Sequence, residues 1–370
     1  MGKTCTWHPK FNGVNIQQTK WFVKISCEDY ILKILMNHQW QDLKGAHLPV
    51  PMCSASKYQR ELEQTTRPTS QTDQQQIQAK VGFSYRTTIG ELIYALVVAR
   101  LDISFAVIKL SQYSSNPALI HYQATKNVFA FLNQTRADGL VYWRRKPRED
   151  LPDVQPPPPR SSPINRLRTP SIPPTTLLAY SDSDWGSDSS HHRSVTGTII
   201  LLSGAAVIYT TKYQKAVALS STEAEFVSAS DAGKTALYMR ALLADLGFNQ
   251  ENPTKLFIDN TGAVFMVDAQ AITKCTRHVD IRYFVLLQWS DSGQLKAEAI
   301  TTEENISDSM TKALGCIKFH QQADIYMGRT PPSYYVTMPP TGTACISTFH
   351  LVPLALPLET LSALAAQSDL

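Results

Sequence analysis

Asp182, Glu225, Asp259 and Asp308 each stand where an apolar segment of this chain ends or a helix begins. Carboxylates converging from such ends can hold divalent cations, and metal–carboxylate sites commonly do phosphoryl chemistry, so the four point to a nuclease. Asp182 closes the apolar run TLLAYSD and Asp259 closes KLFID. If these are neighbouring parallel strands, both carboxylates reach one sheet edge, where open α/β sheets bind their ligands. Clustered carboxylates repel one another until a cation neutralises them. Hard oxygen ligands without a nearby His or Cys select Mg²⁺ or Mn²⁺ over zinc.

Each acid also has a plainer reading. The stretch from Asp182 to Arg193 could be a calcium loop, but Gly186 stands where a fifth-position ligand belongs and Arg193 where the twelfth position needs Glu. Asp184 and Asp188 read as turn formers. In SSTEAE, Ser220 and Glu223 have capping-box spacing, as do Thr222 and Glu225, so one glutamate is structural. With Ser220 as the cap, Glu225 is left to face the sheet edge and is the favoured ligand, with Glu223 the alternative. Asp308 taken alone is a solvated helix residue, and the company of the other three promotes it. His278, with Arg277 and Arg282 beside it in TRHVDIRYF, is either a substrate contact or a surface histidine. The cluster His191, His192 and Arg193 is a basic loop for nucleic acid or a solvated turn.

The elements that must position these residues fall into blocks. Residues 1–53 contain strands in VNIQQ and FVKIS and an amphipathic helix with Tyr30, Ile31, Ile34 and Leu35 at helical spacing, a small α+β piece. Residues 54–80 are Gln- and Thr-rich and read as a mobile polar connector. Three helical stripes follow within 81–146. From 147 to 176 stand ten of the 22 prolines (Pro147, Pro152, Pro156 to Pro159, Pro163, Pro170, Pro173, Pro174), an extended linker and a domain boundary. Residues 177–315 give three strands with antiparallel turns, a helix from about Ser221 to Leu246, the strand at KLFID, and helices near 261–268 and 277–290. A strand at Leu295–Ile300 and a helix at Glu303–Ala313 close the block. The fold class is α/β, a mixed sheet flanked by helices. Residues 316–370 show no sustained pattern.

The net charge of +4 tolerates a polyanionic partner without demanding one. Six scattered cysteines without metal spacing, no signal-peptide core and no run of about 18 apolar residues imply a reduced intracellular protein, cytoplasmic or nuclear, neither secreted nor membrane-bound. Met1, Gly2 and Thr6 fit a loose myristoylation pattern that recurs by chance.

The segments YSDSDWGSDSSHHRSVTGTIILLSG, KYQKAVALSSTEAEFVSAS, LFIDNTGAV, TRHVDIRYF and TTEENISDSMTKAL resemble, in order, the ribonuclease H domain of copia-type retrotransposon polyproteins. The helical region upstream is similar to the connection between polymerase and ribonuclease H, and 1–53 to the end of the reverse-transcriptase palm and thumb. The resemblance implies a ribonuclease H-like five-stranded mixed sheet whose first three strands are antiparallel. It implies two Mg²⁺ ions on Asp182, Glu225, Asp259 and Asp308, and cleavage of the RNA strand of an RNA:DNA hybrid to a 5′-phosphate and a 3′-hydroxyl. His278, Arg193 and Arg282 are then the expected substrate contacts. An intact element would work inside a virus-like particle. The polymerase turn Tyr-x-Asp-Asp does not occur in the chain, so polymerase activity is not expected unless another copy supplies that portion. The second expectation is a truncated, catalytically silent remnant that at most binds nucleic acid.

Overall fold

In the computed structural model, which describes residues 10–11, 13–45, 50–163, 166–167, 175–187, 191–268 and 280–331, two sheets share one apolar cluster. The first sheet is built from β1 (Lys10–Phe11), β2 (Val14–Gln18) and β3 (Phe22–Ser26), all antiparallel. Helix α1 (Glu28–Asn37) follows, with Ile31, Ile34 and Leu35 buried at helical spacing. The polar stretch 54–80, expected to be a connector, holds α2 (Ser56–Gln64) and α3 (Gln71–Val81). Its composition hides them because burial contributes so little: Leu62 is the one buried side chain of α2, and α3 has none. Caps define α3 instead. Ser70 accepts a hydrogen bond from the Asp73 amide, and Gly82 closes the helix at φ 81°.

Helices α4 (Tyr85–Ala99), α5 (Ser104–Ser111) and α6 (Leu119–Gln134) match the three expected stripes. Strand β4 (Gly139–Trp143), which the sequence reading passed over as part of a helical region, pairs antiparallel with β3 and completes the first sheet. All five of its residues are buried, so it lacks the alternation that marks a half-exposed strand.

The second sheet comprises β5 (Leu178–Asp184), β6 (Val195–Leu202) and β7 (Ala205–Tyr213). After α7 (Ser221–Asp245) come β8 (Thr254–Ile258), α8 (Thr261–Asp268), α9 (Asp280–Asp291) and β9 (Leu295–Ala299). The strand order is β7-β6-β5-β8-β9, with β5 antiparallel to β6, β6 antiparallel to β7, and β8 parallel to both β5 and β9. This is the ribonuclease H-like sheet that the resemblance implies. Every residue of β6 is buried because the sheet is covered on both faces. Ile199 and Leu201 join the cluster shared with the first sheet, while Ile200 and Leu202 join the cluster beneath α7. The β6–β7 turn is Ser203-Gly204 with φ 54° and 85°, and two positive φ values in succession suit the right-handed twist of a hairpin.

The last two helices among the described residues are α10 (Asp308–Thr311), far shorter than the expected 303–313, and α11 (Cys316–Tyr326). The latter corrects the reading of 316–370 as patternless: Phe319, Ala323, Ile325, Tyr326 and Met327 are core residues, although those from 332 onward lie outside the described set. Nor is the proline-rich stretch a free spacer where it is described. Lys20 donates from its amide to the Pro152 carbonyl at 2.8 Å, and the Ser161 amide donates to Asp324 at 2.8 Å. The sheets are stitched together by the Trp143 amide on the Ser203 carbonyl and the Tyr142 hydroxyl on the Ala206 carbonyl, and the Val141 amide donates to the Met327 carbonyl at the end of α11.

A buried ionic network locks these pieces. Arg329 donates to Asp138 at 2.6 Å and to Asp324 at 3.3 Å, and Arg160 donates to both oxygens of Asp138. Burial works to raise the Asp138 carboxyl, but the guanidinium groups of Arg329, Arg100 and Arg160 outweigh it and hold it below its ordinary value. Removing one partner strands a buried charge. Arg329→Ala is therefore expected to cost about 3–5 kcal/mol in chemical denaturation, and a loss under about 1 kcal/mol would show the network to be dispensable.

Candidate metal centre

The parallel pairing of β5 with β8 aligns Ser181 with Ile258, so the residues that follow stand level: Asp259 just past the end of β8, and Asp182 still paired with Gly197 of β6. Glu225 arrives from the first turns of α7. Ser220 caps that helix with its hydroxyl accepting from the Glu223 amide at 3.1 Å, and Glu223 folds back to accept from the Leu219 amide at 2.7 Å. Glu223 is thus spent on the cap. Glu225, half a turn further on, accepts from the Ser183 amide at 3.0 Å and points into the sheet edge. One carboxylate oxygen from each of Asp182, Glu225 and Asp259 lies within 4.8 Å of the others.

The scaffold fixes this cluster through polar groups that the sequence reading missed. Ser228 donates to the Asp182 carbonyl at 2.7 Å, and Asn305 donates to the Ser181 carbonyl at 3.0 Å. The Thr311 hydroxyl donates to Asp182 Oδ2. All three donors are buried, so they hold the end of β5 rigid from both sides. The available signal was helical spacing: Ser228 follows Glu225 by three residues, and Thr311 and Lys312 follow Asp308 by three and four.

Burial dominates the electrostatics. Taken out of water, Asp182 is pushed up to about 7, with Lys312 opposing the shift and Asp308 adding to it. Glu225 is pushed up to about 9, by burial first and then by the charges of Asp182 and Asp259. Asp259 and Asp184 are raised for the same leading reason. Glu225 Oε2 is buried without a hydrogen-bond partner. An acceptor so placed among other carboxylates is what a cation would satisfy, and an all-oxygen donor set suits Mg²⁺ or Mn²⁺.

Asp308 is fully buried beside this cluster rather than in it. Its Oδ1 meets Lys312 Nζ at 2.8 Å and its Oδ2 meets Lys318 Nζ, while Lys312 also stands 3.8 Å from Asp182 Oδ2. Burial works to lower Lys312, but the carboxylates of Asp182 and Asp308 outweigh it and hold the ammonium above its ordinary value. Arg193 sits over the Tyr213 ring at 5.6 Å, on the strand that leads to the Glu225 helix. His278 and the Arg282 side chain lie outside the described residues. Trp185, unremarked as a site residue, follows β5 directly; it is half exposed and donates to the Ala218 carbonyl at 2.9 Å.

The approach of α10 to the sheet depends on Gly197. A Cβ there would come within 2.7 Å of both Met310 and Thr311. Gly197→Ala is expected to push α10 off β6, lowering the melting temperature by several degrees, as befits a core clash of about 1–3 kcal/mol. A thermal scan coincident with wild type would contradict the close approach.

No family model matches the chain. It is 29% identical over 295 residues to the retrovirus-related Pol polyprotein from transposon TNT 1-94 of Nicotiana tabacum, a match covering 80% of this chain and 19% of that protein. It is 28% identical over 324 residues to the corresponding polyprotein from transposon RE1 of Arabidopsis thaliana, covering 87% of this chain and 19% of that one. The chain thus spans about a fifth of the length of these relatives. Among solved structures it is similar to LC11-RNase H1, isolated from compost, at 13% identity and a TM-score of 0.30, over 37% of this chain and 93% of that chain.

Proposed function

Because this chain belongs to the family of retrovirus-related Pol polyproteins of copia-type transposons, we propose that it cleaves the RNA strand of RNA:DNA hybrids at Asp182, Glu225 and Asp259. The observation that carries this reading is the convergence of the three carboxylates, from two parallel strands and a helix start, to within 4.8 Å at the end of a sheet covered on both faces. Mg²⁺ or Mn²⁺ held there supplies the charge neutralisation that an in-line attack of water on a phosphodiester needs.

The chain's own groups then have distinct tasks. Asp182, Glu225 and Asp259 provide the anionic oxygens. Ser228, Asn305 and Thr311 keep Asp182 and its strand end from rotating away. The exposed ring of Trp185 and the guanidinium of Arg193 flank the end of β5 and offer a stacking face and a phosphate contact. A hybrid would be chosen by 2′-hydroxyls and backbone shape, with little reading of base sequence.

The test is a labelled 20-nucleotide RNA:DNA hybrid incubated with the purified full chain and Mg²⁺, with RNA:RNA and DNA:DNA duplexes alongside. Cutting of the RNA strand in the hybrid alone is the expected result, and an uncut hybrid defeats the reading. The engagement of Asp308 by two lysines favours one rival, a silent nucleic-acid-binding module. Salt-sensitive hybrid binding, unchanged in Asp182→Asn and without cleavage in either protein, would support that rival.

A further inference from the structure

Among the carboxylates gathered at this sheet edge, Asp308 is the one already provided with cations. It is fully buried, and each of its two oxygens faces a different lysine: Lys312, one helical turn on at 2.8 Å from Oδ1, and Lys318, from the helix that follows, at Oδ2. A buried carboxylate is tolerable when paired on this scale, and breaking such a pair leaves an uncompensated charge. Lys312 stands between two acids, because its ammonium is also 3.8 Å from Asp182 Oδ2. The same oxygen of Asp182 accepts the Thr311 hydroxyl. Asp182 Oδ2 is therefore already engaged by this chain's own donors.

The lysines are held in place. The Ser309 amide donates to Gln322 Oε1 at 3.1 Å, and Gln322 donates in turn to the Asn305 carbonyl at 2.9 Å, so α11 is fastened to the segment carrying Asp308. Lys318 belongs to that same helix. Lys312, with about a third of its side chain exposed, is the member that can swing outward without unpacking the core. A second divalent ion held by Asp308 and Asp182 would compete with this ammonium for the same carboxylates.

Resting on the reading of Asp182, Glu225 and Asp259 as a divalent-cation site, we infer that Lys312 and Lys318 are tethered counter-ions that close Asp308 to metal. The protein accordingly holds one divalent ion, on the three clustered acids, and admits a second beside Asp308 when Lys312 is displaced. This departs from the two-ion, four-acid site implied by the resemblance: the fourth acid is matched by side chains, and the helix after the site supplies one of them. The arrangement makes α11 part of the metal centre's charge balance.

The experiment is Mn²⁺ uptake by the metal-free full chain, read from the electron paramagnetic resonance signal of the unbound ion. Wild type, Lys312→Arg and Lys312→Met are compared, each checked for native circular dichroism. One ion per chain is expected for wild type and for Lys312→Arg, which keeps the charge, and two for Lys312→Met. If Lys312→Met fails to fold, Lys312→Gln, which removes the same ammonium but keeps a polar side chain at this partly exposed position, carries the same expectation of two. Two ions of similar affinity on the wild type, or a single ion on the folded Met or Gln variant, would overturn the inference while leaving the three-acid site standing. No uptake by the wild type would remove the three-acid site itself, and the inference with it.

Discussion

Asp182→Asn is expected to slow hybrid cleavage about a thousandfold, the loss corresponding to the several kcal/mol that a metal ligand contributes, at 1.36 kcal/mol per tenfold. The substitution is nearly isosteric, so the site should keep its shape: Thr311 can still donate to a side-chain oxygen at this position, and Ser228 donates to the backbone carbonyl, which is unchanged. What disappears is a charge held in a fully buried place. That charge is costly to the fold, as its rise to about 7 records, so the same variant should be at least as stable as wild type at pH 8 without metal. Reduced activity with retained or increased stability is the signature of a functional rather than a structural acid. Asp184→Asn, two residues on and outside the three-acid cluster, is the control and should lose less than about tenfold on the same scale. Single-turnover cleavage of a labelled hybrid measures both. An Asp182→Asn rate within threefold of wild type would exclude the proposed centre.

The second large effect is on stability against pH. In the folded, metal-free protein burial pushes Asp182 up to about 7 and Glu225 up to about 9, from ordinary values of 3.8 and 4.5. Both folded-state values are raised, so between about pH 4 and pH 9 the folded chain binds more protons than the unfolded one. Stability contributed by these groups is therefore greatest at the acid end of that window and declines as pH rises through 7 and 9. This is the reverse of a salt-bridged carboxylate such as Asp138, whose depressed value protects the fold above the acid range. Metal-free protein is expected to melt several degrees higher at pH 5.5 than at pH 8.5, a difference on the order of a few kcal/mol. Glu225→Gln should remove most of the slope, and Mn²⁺ should restore stability at pH 8.5 because it binds only the folded arrangement. Differential scanning fluorimetry across this range provides the measurement. A flat profile, or one rising with pH, would mean that the carboxylates are not buried as a group.

Much of the C-terminal half was readable because its signals are local. KLFID and TLLAYSD announce strands by their apolar runs, their terminal acids follow from where those runs stop, and SSTEAE carries its own cap. The structure places strands and helix start at these positions, at β5, β8 and α7. What escaped the reading was structure with weak local signals. Strand β4 is uniformly apolar and short, α2 and α3 are polar throughout, and α11 hides its buried face among polar residues, of which Gln322 and Asp324 find buried partners. Asp324, for example, reads as a surface residue in sequence yet is buried, accepting from Arg160, Ser161 and Arg329. The pairings with Arg160 and Ser161 join residues 164 and 163 positions apart, which no window of sequence contains.

The sequence by itself determined which acids are present, their places at the ends of strands and the start of a helix, and the order of elements that makes a mixed sheet of them. These follow from periodicity, capping and turn chemistry, which act over a few residues. The tertiary structure decided which acids meet. Parallel register brings Asp182 and Asp259 level, the cap consumes Glu223 and releases Glu225, and the packing of α10 and α11 gives Asp308 to Lys312 and Lys318. Charges converging in a buried space must be balanced by whatever cation the fold brings nearest, and that choice is fixed by distances across the chain rather than along it.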